Sequence, residues 1–439
     1  MTGTVNFVFC IDAEGPLYES TQACFERLRG LFGVKLPPPT EENLRLLQEG
    51  KIKLGGREKE VMQVVSPSVR DWLGNWKDVL ENVRHTSAPE FRRQVLDDVG
   101  RGLVFNWFVC DWTEGFRHNP RRKPIGINLV FSHYHELFAK DPANNPLYFH
   151  HHCAPLSGCT HHPCKNWSTI PAHLAVISAR LIEYGHFASC LRSPIMAPDI
   201  HLFAEQFFPF DMSNTAVPND GQPDVMSRRW TDWEGAPADW SVYHPDFHDY
   251  RKPGALKRAI GRSMQCGSRY GNITEKDLRE AFVAARSGKS QLVSCHLHDQ
   301  SPIRKCAGFF ELLNKVRRDY PDVPFRNAST VEAFRDMLGI KPRPAPSFEV
   351  ELKGTHFLCR SDREIFGSQP WLCFKTRDGQ YHWDNMDCME ERSWRYIFDQ
   401  YTCPLEMLDA IGVGANDAAG QAVTAVYGVP EKALRNGGK

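Results

Sequence analysis

The feature that most constrains the fold is a series of short, almost wholly apolar runs separated by stretches with helical spacing. The runs cover residues 5–11, 103–110, 146–150, 187–191, 207–210 and 291–297. Their lengths suit strands better than helices, and strands that are apolar on both faces are typical of parallel sheets covered by helices. The sequence therefore predicts an α/β fold with a parallel sheet, either open or closed into a barrel.

Two intervening stretches carry clear helix boundaries. The segment 171–185 begins with Pro171, which is favoured in a first helical turn, and ends at Gly185. The segment 273–288 has Thr274 as a candidate N-cap, acidic residues in its first turn and Gly288 at its end. Both stretches are predicted helices that cover the sheet.

The chain has 439 residues, which favours two domains. Residues 16–100 have helical spacing and are predicted to be an insertion after the first strand. Three prolines in IKPRPAPS rule out a helix or a central strand there, and an Asp378-Gly379 hairpin signal lies beyond them. The predicted divisions are a barrel at 1–340 with its insertion at 16–100, a linker at 341–347 and a β-sandwich at 348–439.

The composition indicates which partners and which cellular compartment to expect. Lys plus Arg and Asp plus Glu both number 53, so net charge favours neither nucleic acid nor an anionic membrane. No apolar run approaches the roughly 18 residues that span a bilayer, and MTGTVNFVFCIDAEG lacks the features of a signal peptide. Several of the 14 cysteines lie within apolar runs, which suits reduced thiols. We therefore expect a cytoplasmic protein with no membrane span and no nucleic-acid partner.

Polar residues end the predicted strands. Because the carboxyl ends of parallel strands share one face of the fold, these side chains are expected to converge. Carboxylates, imidazoles and a guanidinium on one rim are typical of a hydrolytic site. The residues are Asp12, Glu14, Asp111, His150, Arg192, Asp211, His298 and Asp299.

The stretch LYFHHHCAPLSGCTHHPC, residues 147–164, suggests a metal site. In an extended segment His150 and His152 point the same way, and with Glu14 or Asp12 they would leave an open position for water, as in catalytic zinc sites. A closed structural site is an alternative, and so are histidines that only form hydrogen bonds within the loop. The closed site would use Cys153, Cys159, His161, His162 and Cys164.

The order of these motifs resembles the polysaccharide deacetylase (NodB-homology, carbohydrate esterase 4-like) family. The matching segments are CIDAEG with Asp12 and Glu14, FNWF, FHHH, LRSP with Arg192, FDMS with Asp211, and LHD with His298. The resemblance covers residues 5–12 and 103–338 and implies an irregular (β/α)7-type barrel. Three motifs depart from the family pattern. Asp12-Ala13-Glu14 replaces adjacent aspartates, the two histidines are closer together than usual, and His298 follows Leu297 directly rather than one residue further on.

The resemblance implies a de-N-acetylase that uses a divalent metal, with Zn²⁺ as the first candidate. Glu14, His150 and His152 would bind the ion, with His161 as an extra ligand. Asp12 would be the general base and His298 would protonate the leaving amine. A carboxylate from Asp299, Asp211 or Asp111 would orient His298, and Arg192 would fix that carboxylate through a bidentate pair. Asp12 and Glu14 can exchange roles at this stage.

Aromatic and basic residues suggest what the site binds. Trp112, Trp230 and Trp233 are candidates for stacking on a sugar ring, although tryptophans in long loops are as often local anchors. The basic segment HNPRRKP, 118–124, either meets the phosphates of a nucleotide- or lipid-linked sugar or is a solvated loop.

Two functions follow. The first is metal-dependent removal of an N-acyl group from a sugar during glycan or surface-polysaccharide assembly. The second is a non-catalytic carbohydrate-binding protein built on a degenerate barrel. In either case the C-terminal domain would bind glycan or join two copies of the chain in a homo-oligomer.

Overall fold

The larger part of the protein is a parallel sheet that nearly closes into a barrel. The structure, a computed structural model, describes residues 2–112, 119, 121–152, 170–193, 198–216, 233–267 and 272–430. The strand order is β6-β5-β4-β3-β2-β1-β8-β7, and β9 pairs with the start of β1. The strands are β1 (Val5–Ala13), β2 (Phe105–Val109), β3 (Leu147–His150), β4 (Cys190–Arg192), β5 (Phe210–Asn214), β6 (Ala259–Arg262), β7 (Met264–Gln265), β8 (Gln291–His298) and β9 (Phe325–Asn327).

The near closure follows from the chain path between the two edge strands. Strand β6 pairs with β5, strand β7 pairs with β8, and Ser263 alone separates β6 from β7. The prediction of a parallel α/β barrel is therefore confirmed. Strand β1 has a neighbour on both sides and all nine of its residues are buried, which explains its continuous apolar run.

Helices cover the outside of the sheet, and five of the described helices lie between β1 and β2. The helices are α1 (Thr21–Phe32), α2 (Glu41–Gln48), α3 (Glu58–Val65), α4 (Trp76–Ser87), α5 (Pro89–Arg92), α6 (Leu129–Phe138), α7 (Ile170–Tyr184), α8 (Pro198–Phe207), α9 (Glu275–Arg286), α10 (Ala307–Arg318) and α11 (Thr330–Leu338). The start of α9 at Thr274 is confirmed by a capping box with Asp277. Helix α7 stops at Gly185, which has the left-handed φ of 60°.

Side chains of alternate strand residues fill the barrel interior. One cluster joins Val8 and Cys10 of β1 to apolar residues of neighbouring strands and of α11. Phe334 of α11 stacks on Phe210 with ring centroids 4.7 Å apart, so this helix closes one end of the barrel. The other end carries the polar residues that follow the strands.

One strand was predicted in the wrong place. Residues 207–210 were expected to form a strand that ends before Asp211. Helix α8 instead continues to Phe207, and β5 begins at Phe210. Phe207 and Phe208 are buried in the cluster that also contains Ile200 and Ala204 of α8. An apolar run of four residues does not distinguish a helix end from a strand.

The C-terminal part consists of two four-stranded antiparallel sheets, β10-β11-β15-β14 and β13-β12-β16-β17. Buried residues of both sheets form one cluster, as expected of a β-sandwich. The hairpin predicted at Asp378-Gly379 joins β12 and β13. The strands are β10 (Phe348–Lys353), β11 (His356–Ser361), β12 (Trp371–Thr376), β13 (Tyr381–Asp384), β14 (Asp387–Glu390), β15 (Ser393–Ile397), β16 (Leu408–Asn416) and β17 (Ala422–Gly428).

None of the helices in the described ranges combines the length and the hydropathy needed to cross a lipid bilayer.

Candidate metal centre

Four side chains meet at the open end of the barrel. The Nε2 atoms of His150 and His152 are 3.0 Å apart, and Glu14 Oε1 lies 3.0 Å from His152 Nε2 and 3.6 Å from His150 Nε2. His298 Nε2 lies 3.6 Å from the same oxygen. Ligand atoms of a tetrahedral zinc site, each about 2.0–2.1 Å from the ion, are about 3.3 Å apart. The triangle formed by Glu14, His150 and His152 therefore fits a single ion.

The orientation of His150 suits a metal ligand. Its Nδ1 donates a hydrogen bond of 2.6 Å to the backbone carbonyl oxygen of Arg192. A carbonyl can only accept, so the proton is on Nδ1 and the lone pair of Nε2 points towards His152. Metal-binding histidines are commonly fixed by such a bond from the other ring nitrogen.

His151, which lies between the two histidines, points elsewhere. Its ring stacks near Phe149, with centroids 5.4 Å apart, and meets His173 edge-on at 5.1 Å. Neither ring nitrogen has a hydrogen-bond partner among the described residues, and burial lowers the pKa of His151 well below its usual range. The expectation that His150 and His152 project to one side is thus met.

Cys110 is also close to the two imidazoles. Cys110, His150 and His152 each offer one ligand atom, and these three atoms lie within 4.8 Å of one another. Cys110 follows β2 and is buried. Burial raises the pKa of its thiol well above the usual range, and the Glu14 carboxylate adds to that effect. Cys110, His150 and His152 form a group that could hold a metal ion, and the chain offers Glu14 as a further ligand.

Lys123 reaches Glu14 from the opposite side. Its Nζ forms an ion pair with Glu14 Oε2 and lies 5.3 Å from the centre of the Trp112 ring. Burial by itself would raise the pKa of Glu14, but the Lys123 ammonium and the two imidazoles hold it well below its usual range. Glu14 is therefore ionised, with Oε1 directed at the histidines.

The backbone around Glu14 is fixed by Asp299. The Asp299 carboxylate accepts hydrogen bonds from the backbone N–H groups of Glu14 (3.0 Å) and Gly15 (2.8 Å), and from the hydroxyl of Tyr134 (2.6 Å). Burial raises the pKa of Asp299 to about 6. The contacts found for Asp299 thus position Glu14, whereas Asp299 was predicted as one of three carboxylates that could orient His298.

Asp12 and Arg192 form a buried ion pair. Arg192 Nε lies 3.0 Å from Asp12 Oδ1, and both side chains are at most 2% exposed. The expected partners of Arg192 were Asp299, Asp211 or Asp111, so that expectation is corrected. Asp12 also lies beside His150, with its Oδ1 atom 4.0 Å from His150 Nδ1.

Asp111 and Asp211 have structural partners. Asp111 Oδ1 accepts a 2.7 Å hydrogen bond from the N–H of Val130 at the start of α6, and its Oδ2 pairs with Arg180 at 2.9 Å. Asp211 is the second residue of β5, and its Oδ2 lies 3.3 Å from Arg258 Nε. The carboxylate of Asp211 thus forms a buried ion pair, and its catalytic role stays a prediction.

His298 lies at the entrance of the site as the last residue of β8. Its side chain is 38% exposed. Desolvation lowers the pKa of His298 to about 4, although Glu14 and Asp12 raise it. The imidazole is therefore neutral at neutral pH and can accept a proton.

The predicted sugar-binding tryptophans differ in their positions. Trp112 stacks on the His152 ring with centroids 4.8 Å apart, so it lies at the site. Trp233 is 2% exposed and packs edge-on against Tyr250 in the core. The prediction for Trp233 is therefore wrong, because a buried indole has no free face for a sugar. Trp230 lies outside the described residues, as do His161 and the alternative cluster at 153–164.

The described part of the basic segment contacts the helical insertion. Arg121 Nε lies 3.3 Å from Glu19 Oε1 and its guanidinium lies over Trp72. The Arg122 guanidinium lies over Tyr18. These contacts and the burial of Lys123 contradict a wholly solvated loop.

Comparison of the sequence with protein-family models and with curated proteins finds no match.

Cys110 and Lys123 lie at the site although neither was predicted there from the sequence. Cys110 resembled a small apolar residue at the end of a strand. Its position two residues after Phe108, which faces the barrel interior, is the signal that would have placed it inside. The burial of Lys123 was not predictable, because it depends on a contact with Glu14, which is distant in sequence.

Proposed function

We propose that this chain is a metal-dependent hydrolase that removes an N-acyl group from a sugar, with acetyl as the first candidate for that group. The observation that carries the proposal is the meeting of Glu14 Oε1 with the Nε2 atoms of His150 and His152 at 3.0–3.6 Å, with His150 oriented by the Arg192 carbonyl. The order of these residues along the chain resembles that of polysaccharide deacetylases. We further propose that β6 and β7 count as one strand of an irregular (β/α)7-type barrel.

The residues at the site fit a divalent ion such as Zn²⁺. Two imidazoles and a carboxylate are ligands that zinc accepts, and the Nε2 atom of His150 already points towards the other two ligands. A divalent ion bound there would supply Lewis acidity, which makes water a better nucleophile and polarises an acyl carbonyl.

The protein residues would move one proton from water to the leaving nitrogen. Asp12, held by Arg192, takes the proton as the water oxygen bonds to the acyl carbon. Asp12 and His298 are neighbours across β1 and β8, so the neutral imidazole of His298 can receive that proton. His298 then gives it to the nitrogen as the C–N bond breaks, which releases a carboxylic acid and an amine.

The proposed substrate is an N-acylated sugar, free or linked to a nucleotide or lipid. The position of Trp112 supports a sugar substrate. Its indole lies beside the catalytic groups, and sugar rings commonly stack on indole faces. We place the activity in the cytoplasm, where the thiol of Cys110 would stay reduced. The eleven cysteines that the structure describes are all free.

A second candidate is a carbohydrate-binding protein without catalysis. The ion pair between Lys123 and Glu14 favours it, because a protein cation already occupies one side of the carboxylate. Binding of a sugar without release of its acyl group would support this second function.

The test compares metal content and amide hydrolysis in the wild type, in His150→Ala/His152→Ala and in His151→Leu. The probes are oligomers of N-acetylglucosamine and UDP-N-acetylglucosamine, with release of acetate as the readout. We expect about one divalent ion per wild-type chain and loss of ion and activity in the double variant. His151→Leu is the matched control, because its ring lies on the other side of the chain. Full activity of the double variant would refute the proposal.

A further inference from the structure

The charges around the site point to an additional anionic ligand. Among the described residues, the carboxylates are those of Asp12, Glu14 and Asp299, and the cations are Lys123 and Arg192. Together they carry one negative charge. Asp111 and Arg180 lie beside Cys110 as well, but their ion pair adds no net charge. A divalent ion would leave one uncompensated positive charge in a buried site, which is costly.

Cys110 is placed to remove that charge. Its Sγ lies within 4.8 Å of the ligand nitrogens of His150 and His152, and the side chain is buried. Asp12 is paired with Arg192, and Lys123 already offsets the charge of Glu14. A thiolate at Cys110 would bring the net charge of the described groups and the ion to zero.

We propose that Cys110 is a ligand of the ion, beside Glu14, His150 and His152, and that the centre selects a thiophilic divalent ion of the zinc and cobalt type. This inference deepens the proposed function, on whose metal site it rests. When the sulfur bonds to the ion, the thiol S–H bond breaks and its proton passes to the solvent. Four protein ligands still leave a fifth position, which zinc can accept during catalysis.

Thiolate ligation has a consequence for metal preference. Soft ligands favour zinc and similar ions, whereas Mg²⁺ and Ca²⁺ prefer oxygen ligands. The wild type should therefore retain Co²⁺ or Zn²⁺ in the presence of excess Mg²⁺. Replacing the sulfur of Cys110 by oxygen should reduce that preference.

The experiment loads the full-length protein with Co²⁺ and records its absorption spectrum. A thiolate bound to Co²⁺ gives an intense near-ultraviolet charge-transfer band, while the visible bands report Co²⁺ in the site whatever its ligands. In Cys110→Ser and Cys110→Ala we expect the near-ultraviolet band to disappear, the visible bands to remain, and the affinity for Co²⁺ to fall at least about tenfold. Circular dichroism checks that the variants fold.

Cys10→Ser is the matched control, because Cys10 is equally buried inside the barrel but contacts Ser294, at 3.4 Å. It should keep the near-ultraviolet band. A band that survives in both Cys110 variants, or Co²⁺ bound without any such band, overturns the role of Cys110 and leaves the hydrolase proposal standing. No Co²⁺ bound by the wild type overturns both proposals. A band that depends on Cys110 in a protein that hydrolyses no amide supports this inference and overturns the proposed function.

Discussion

At the scale of single residues, contacts fix the backbone and both carboxylate oxygens of Glu14. Asp299 binds its backbone N–H, Lys123 pairs with Oε2, and Oε1 faces His152 at 3.0 Å. A carboxylate held this way loses little conformational entropy when it binds an ion. The opposing effect is the Lys123 ammonium, which repels a second cation. The affinity of the site therefore depends on the balance between these two contributions.

Removing the charge of Lys123 should strengthen ion binding. In Lys123→Met the buried positive charge next to Glu14 disappears. At about 5 Å from a divalent ion that charge is worth on the order of 2–7 kcal/mol, for an effective dielectric between about 80 and 20. We expect the affinity for Zn²⁺ to rise about tenfold or more in a competition with a chelator. Lys123→Arg keeps the charge and should bind within about threefold of the wild type. Weaker binding by Lys123→Met would show that the ion pair organises Glu14 more than it competes with the metal.

Glu19 predicts how stability depends on pH. Burial would raise its pKa, but Arg27, Arg121 and Arg70 lower it from 4.5 to about 2. Because the folded-state pKa is depressed, the stabilisation of about 3 kcal/mol is present above pH 4.5 and is lost as the pH falls towards 2. In urea titrations Glu19→Gln should lose at least this free energy of unfolding at pH 7 and much less at pH 3. The exposed control Glu311→Gln should change stability by less than about 0.5 kcal/mol at either pH. An equal loss at both pH values for Glu19→Gln would contradict this explanation.

At the scale of elements, helix α6 connects the end of β2 to the metal site. The helix has no side-chain cap of its own, since Asn128 has a left-handed φ of 59°, and its first N–H groups bind the Asp111 carboxylate. One turn later, Tyr134 donates to Asp299, which fixes Glu14. Asp111 thus acts on Glu14 through α6, and it also directly follows Cys110 in the chain.

Asp111→Asn should loosen α6 and, through it, the site. The substitution removes the charge that caps the helix and leaves Arg180 without its carboxylate partner, which costs about 3–5 kcal/mol. We expect faster amide hydrogen exchange in α6 and a loss of Zn²⁺ affinity of about tenfold. Asp387→Asn, which removes an exposed carboxylate of the sandwich, is the control and should change neither quantity. If Asp111→Asn is clearly destabilised but binds Zn²⁺ as tightly as the wild type does, α6 does not influence the metal site.

The sequence predicted elements better than it predicted partners. The apolar runs predicted most barrel strands, because strands with two covered faces have few alternatives. The polar residues that follow them, Asp12, Glu14 and His150, do meet. Their partners were not predictable: the pairs Arg192–Asp12 and Lys123–Glu14 depend on contacts between distant segments. Trp233 was misjudged because a tryptophan in the sequence carries no sign of whether its face is exposed.

At the scale of the whole molecule, the sandwich packs on the barrel through α7. Gly412 and Gly414 of β16 allow Leu181 of α7 to approach, because a Cβ at either position would lie 2.5 or 2.6 Å from that side chain. Trp371 of β12 is fully buried, and its Nε1 donates to Ser178 Oγ at 3.2 Å. One hydrophobic cluster includes residues of both parts. The barrel and the sandwich therefore stabilise each other.

This shared core predicts that Trp371→Ala destabilises the barrel as well as the sandwich. The indole packs edge-on against Phe207 at 5.0 Å and against Phe203 at 5.7 Å, so its loss leaves a cavity between the two parts and should cost about 3–5 kcal/mol. We expect the wild type to unfold in one transition. In the variant the denaturation midpoint should fall for the barrel and the sandwich alike, as measured by hydrogen exchange in β1 and in β16. Tyr401→Ala is the control, because that ring is 86% exposed, and its effect should stay below about 0.5 kcal/mol. Exchange that accelerates in β16 alone would mean that the barrel is stable without the sandwich.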